Sequence, residues 1–176
     1  VVASLVRQLV SVAGVPSGDI VVYDATNGRT IGDPIFSRFK GEQAPADLRG
    51  VTFVTNTDYG LTGRVPVIVD EKTPVRISGA RNPLSAYLPL QVTATKYLIN
   101  LCSPHPHGLA GLTSQGKNHF GSVHFPGNGG WTPAPLHSYV SSRNPMGTYN
   151  ALVDLTGHRH LGGKTVLFMA DAMFTT

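Results

Sequence analysis

The stretch from Val1 to Asn27, VVASLVRQLVSVAGVPSGDIVVYDATN, decides how the rest of the chain is read. Val2, Leu5, Val6, Leu9, Val10 and Ala13 recur at helical spacing, with Arg7, Gln8 and Ser11 on the other face. Gly14 is a natural helix stop, and Pro16 prevents continuation. Asp19 to Asp24 (DIVVYD) is then a short apolar run that ends in a polar loop. Helix, tight turn, apolar strand and polar loop, in that order, are the pattern of a parallel α/β sheet. Open parallel sheets bind ligands beyond the carboxyl ends of their strands. Asp24 therefore stands where a functional residue could sit, although an Asp there more often caps a loop.

Outward from this stretch, residues 28–50 carry Pro34 and Pro45 with little periodicity and read as irregular. Val51 to Thr55 is a second strand. Val65 to Asp70 and Val75 to Ser78 form a smaller β excursion, because Pro66 argues against a central strand. Residues 79–95 read mostly as loop. Lys96 to Leu101 is a third strand, and Lys164 to Ala170 a fourth buried one ending at Asp171. Leu109 to Phe120 reads as a helix interrupted by Gly111 and Gly116. Gly121 to Pro135 is a long Gly/Pro loop. A last helix follows Asn144-Pro145, with Tyr149, Leu152, Val153 and Thr156 on one face. The expected fold is α/β: a single-layer, mostly parallel sheet flanked by helices in a Rossmann-like three-layer arrangement. A small β excursion and long Gly/Pro loops complete one domain over residues 1–176. The chain opens without Met and ends just after an apparent strand, so the expectation is a mature or trimmed part of a longer protein.

A chain of 176 residues can bury a real core. It has no apolar run of about 18 residues, so no transmembrane helix is expected. The first fourteen residues are amphipathic with Arg7 in mid-segment, unlike a signal peptide. The 14 Lys and Arg outnumber the 10 Asp and Glu, yet they are scattered singly without aromatic interleaving. That pattern argues against nucleic acid as a partner. Charged residues make up 14%, well below the usual ~25%, which leaves surfaces suited to packing against further copies of the chain. Cys102 is the single cysteine, so neither an internal disulfide nor an iron–sulfur cluster can be built in this chain. Its flanks mark it as a buried, inert thiol.

The chemistry concentrates between Ser103 and His137, which hold His105, His107, His119, His124 and His137 together with Lys117, Asn118 and Trp131. In extended backbone, His105 and His107 point to one side and can present two imidazoles to one metal. With His119, His124 and a strand-end carboxylate such as Asp171 they form a ligand set suited to a divalent transition metal. Two surface histidines are the plainer alternative. Lys117-Asn118-His119 offers a compact charge, an orienting amide and a group that titrates near neutrality. The three suit a bound carboxylate or phosphate, or acid–base catalysis beside a carbonyl. The alternative is a helix end that favours Lys and His through its dipole. His158-Arg159-His160 reads as a solvated turn, and Trp131 as a cover for its own loop. No nucleophile elbow, P-loop, zincin or dinucleotide motif is present.

At these residues the chain resembles a bacterial family known as domain of unknown function 362. The resemblance rests on YLINL, HPHGLAGLTSQGKNHFGS, PAPLHSYV, NPMGTYNALVDLTGH and LGGKTVLFMADAMF. The family pattern is a strand ending in NLPxLKxHGxAGxTxxxKNHFG, a downstream His, and a final strand ending in Asp. The resemblance covers residues 90–174 closely and the N-terminal helix and strand more loosely. It implies an α/β fold in a chain longer than 176 residues, and export through a twin-arginine signal, hence an extracytoplasmic location. Some members carry ferredoxin-type segments, whose ligands this chain lacks. The resemblance favours His107, Lys117, Asn118, His119 and Asp171 as site residues. His105 stands where many members have Lys, which changes the charge of the site. The family supplies no agreed activity.

Three functional readings follow. The first is a metal-dependent enzyme acting on a small anionic substrate, with Lys117, Asn118 and His119 catalytic and His105, His107, His119 and Asp171 holding the metal. The second is a non-catalytic module that binds an anion or a partner. The third is an extracytoplasmic structural or assembly protein that packs as a homo-oligomer.

Overall fold

The computed structural model describes residues 1–25, 33–40, 44–55, 63, 65–79, 84–126, 131, 134–140 and 144–172. The protein is mixed α/β and forms two compact units, Val1–Val67 and Ile68–Thr176.

In the first unit, helix α1 (Val2–Ser11) follows from the apolar stripe of the opening residues, and Gly14 takes the left-handed φ of 70° that ends it. Strands β1 (Val21–Asp24), β2 (Thr52–Thr55) and β3 (Val65–Pro66) form a parallel sheet in that order, with Val21 opposite Thr52 and Val54 opposite Val65. Pro66 lies on the outer strand of these three, where a missing N–H is tolerated. Residues expected to be irregular contain helix α2 (Asp33–Lys40). Pro34 falls in its first turn, where proline costs no internal hydrogen bond, so the proline read as a breaker opens the helix instead. Val6, Ile20, Phe39, Leu48, Val51 and Phe53 form the buried core. Phe53 meets Phe36 and Phe39 edge-on at 5.3 and 5.1 Å. Each such side chain contributes on the order of 2 kcal/mol through burial.

In the second unit, β4 (Val69–Ile77) pairs antiparallel with β5 (Leu84–Pro89), and α3 (Leu90–Ala94) follows directly. Residues 79–95, expected to be mostly loop, thus hold a strand and a helix. Ala86 and Leu88, two apart on one face, are fully buried and supply the alternation that makes β5. The ammonium of Lys164 donates to the carbonyls of Val92, Thr93 and Thr95 at 2.6, 3.2 and 2.6 Å and closes the end of α3.

Strand β6 (Leu98–Cys102) pairs in parallel with β9 (Thr165–Ala170), as the α/β reading requires. Hydrogen bonding among the described residues nonetheless distributes the four expected strands over two sheets. The fourth strand is not buried: Val166, Leu167 and Phe168 are 61, 41 and 48% exposed. Between these strands lie a hairpin of β7 (His105–His107) and β8 (Gly111–Thr113), and a short helix α4 (Gln115–Asn118). The helix expected over 109–120 is confined to that one turn. Gly111, at φ 78°, holds a left-handed conformation that an L side chain resists, and this directs the chain into the hairpin. Helix α5 (Leu152–Gly157) begins later than Asn144-Pro145, because residues 145–148 form a turn closed by Thr148 on the Pro145 carbonyl. No helix among the described residues is long and apolar enough to cross a membrane.

Candidate functional site

β6 delivers the chain to Ser103, and the hairpin starts two residues later. His105 is exposed and donates from Nδ1 to the Ser103 carbonyl at 2.9 Å. His107 is half-buried, and its Nδ1 accepts the backbone N–H groups of Leu109 and Ala110 at 3.2 and 3.1 Å. These bonds close the hairpin turn and place the ring proton of the neutral form on Nε2.

His107 stacks on His137, with ring centroids 5.4 Å apart and planes inclined by 14°. Phe120 meets His137 edge-on at 5.8 Å, and the Lys117 ammonium lies 5.0 Å from the centre of the Phe120 ring. One continuous cluster results: His107, His137, Phe120 and Lys117. Burial and then the charge of Lys117 hold His107 below the ordinary imidazole range, and His105 adds to the effect. His137 is lowered by burial, then by Lys117 and His107. Burial alone lowers Lys117. No carboxylate is among the groups that shift these three.

The neighbouring His119 belongs to a different network. It is 2% exposed and its Nε2 accepts the Asn100 amide at 3.1 Å. Asn100 also donates to the Gln115 carbonyl at 2.9 Å. Asn118 donates to Asn100 Oδ1 and to the Leu101 carbonyl at 2.9 and 3.0 Å. Burial lowers His119 to about 4, so it is neutral at physiological pH. The single turn of α4 thus fans its residues apart: Lys117 reaches the histidine stack, while Asn118 and His119 join β6.

Asp171 follows β9, and its N–H donates to the Cys102 carbonyl at 2.8 Å, one step beyond the paired strands. Asp24 ends β1 in the first unit. Cys102 is buried. Among the described residues, no group of three His, Cys, Asp or Glu side chains could hold a metal ion. The Nε2 lone pair of His119 and the Nδ1 lone pair of His107 are already occupied by N–H donors.

Two members of these clusters, His137 and Asn100, were not singled out as site residues in the sequence. His137 lies at the end of the histidine-rich stretch, but no local spacing ties it to Lys117. Asn100 had a visible signal, an amide inside an apolar strand, which needs buried partners. Trp131 meets His124 edge-on at 5.0 Å, and His124 Nδ1 is a buried atom without a partner among the described residues. The rest of the Gly/Pro loop, residues 127–130 and 132–133, lies outside the described residues. No family model matches the chain, and no curated protein or solved structure matches it either.

Proposed function

We propose that the second unit binds a small carboxylate or phosphate at Lys117, His107 and His137. The observation that carries this reading is that three half-buried groups able to bear positive charge sit together, and none has its titration shifted by a carboxylate. An anion would relieve their mutual repulsion and replace the solvation they lose. Lys117 supplies the compact charge, and the imidazoles supply ring N–H donors. The neighbouring network of Asn100, Asn118 and His119 holds α4 against β6 and so positions Lys117.

A metal-dependent enzyme with His105, His107, His119 and Asp171 as ligands is the second reading, supported by the extended backbone that carries His105 and His107. A Rossmann-like three-layer arrangement belongs with these proposals, and the parallel pairings of β1 with β2 and β6 with β9 support it.

The test is titration of the ring resonances of His107 and His137 with pH, with and without inorganic phosphate or succinate. Bound anion should raise both pKa values, and Lys117→Gln should remove the effect. Titration curves that do not move with either anion, combined with tight uptake of Zn²⁺ in calorimetry, would replace this reading with the metal one.

A further inference from the structure

A second concave surface lies in the same unit, built from other elements. Pro74 and Arg76 are two apart on β4 and share its exposed face, while Val75 and Ile77 point the other way and are buried. Helix α5 lies against β4 and presents Val153 and Gly157, one turn apart on one face. The turn after α5 adds His158 and Arg159. Together they line an open cleft of about 540 Å³, within the size range of small-molecule sites.

Its charge is lopsided. Among its described lining residues the only carboxylate is Asp154, and that group is engaged within the fold. Asp154 accepts the Ser78 N–H at 2.7 Å, the Ser78 hydroxyl at 3.0 Å, and the Tyr149 hydroxyl. His158 is also held, its Nδ1 accepting the His160 N–H at 3.2 Å. Two guanidiniums, Arg76 and Arg159, are left beside an apolar floor of Pro74 and Val153. At Gly157 an added Cβ would meet no atom within 4 Å, so the helix leaves room there.

We infer that this cleft is a binding site for a small amphipathic organic anion: a phosphate or carboxylate group on Arg76 and Arg159, with a compact apolar body over Pro74, Val153 and the space at Gly157. Guanidiniums match the planar, two-point geometry of such groups better than ammonium does. The apolar floor distinguishes this site from one for inorganic ions. It shares no residue with the Lys117 cluster.

The experiment titrates the full chain, ¹⁵N-labelled, with phenyl phosphate, inorganic phosphate and benzyl alcohol, following the amides of Val153, Gly157 and Arg159. Phenyl phosphate should saturate these shifts, and the other two probes should bind roughly tenfold more weakly or not at all, since each lacks one half of the recognition. Gly157→Leu, whose Cβ meets no atom within 4 Å, projects a side chain into the open space and should weaken phenyl phosphate by about tenfold or more. Arg76→Gln, at an exposed strand position, should do the same and carries the test if the leucine variant misfolds. Lys96→Gln, which removes an exposed charge outside both sites, should leave the affinity unchanged. Inorganic phosphate binding as tightly as phenyl phosphate, or native affinity in both cleft variants, would overturn the inference.

Discussion

Asn100 Nδ2 donates to His119 Nε2 at 3.1 Å, and both side chains are almost fully buried. The pair makes His119 a neutral structural acceptor, because a protonated ring would present N–H to N–H in a buried site. The folded-state value of about 4 lies below the ordinary 6.5, so the unfolded chain binds the proton more tightly. The stability this neutral ring contributes is intact above about pH 6.5. It falls as the pH drops through the window from 6.5 to 4, by up to about 3 kcal/mol. Urea denaturation at pH 7 and pH 5 should show the loss. In His119→Gln, whose amide oxygen can still accept from Asn100, the slope over this window should flatten.

Removing the other partner has a different effect. Asn100→Ala leaves His119 Nε2 and the Gln115 carbonyl without their donor and takes away the acceptor of Asn118. The expected cost is about 2–4 kcal/mol, since the buried His119 and two part-buried groups lose partners at once. Thermal unfolding of the variant measures it, and a change below about 0.5 kcal/mol would mean the network is not formed.

Two glycines at the end of α5 should respond in opposite ways to alanine. At Gly162 an added Cβ would collide with the Thr156 carbonyl oxygen, a backbone atom that cannot swing aside. Gly162→Ala should therefore destabilise by roughly 3 kcal/mol or more. At Gly157 the same Cβ meets nothing and φ is not left-handed, so Gly157→Ala should be neutral or stabilise by about 0.5–1 kcal/mol. Parallel melting curves decide both.

Lys164 closes α3 with three carbonyls, the work of a C-terminal cap done by a side chain far along the sequence. Lys164→Met keeps the stem but removes the donors, and should cost about 2–3 kcal/mol. Hydrogen exchange should accelerate first in residues 90–95.

Anion binding at Lys117 should strengthen as the pH falls. His107 and His137 are below the ordinary imidazole range in the free protein, and a bound anion raises them. Binding therefore takes up protons across the window below about 6.5, where the free protein resists them. Affinity for inorganic sulfate, whose charge is constant over this range, should rise several-fold between pH 7.5 and 5.5 in the native protein. It should rise less in His137→Gln.

Much of the framework was legible in the residues alone. The apolar stripe of α1, the runs that became β1, β2, β6 and β9, and the positive φ at Gly14 are local matters. Burial periodicity and backbone sterics act over a few neighbours, so a window of sequence carries them. α2 was equally local but lay in a stretch read as irregular around Pro34 and Pro45, and β5 in one read mostly as loop. What only the tertiary structure decided is which side chains meet. His137 finds His107, and Lys117 leaves its neighbours Asn118 and His119 for a different cluster, because the hairpin at Gly111 and the single turn of α4 set their directions in space. Contacts between residues distant along the chain depend on the path between them, and no spacing rule encodes that path.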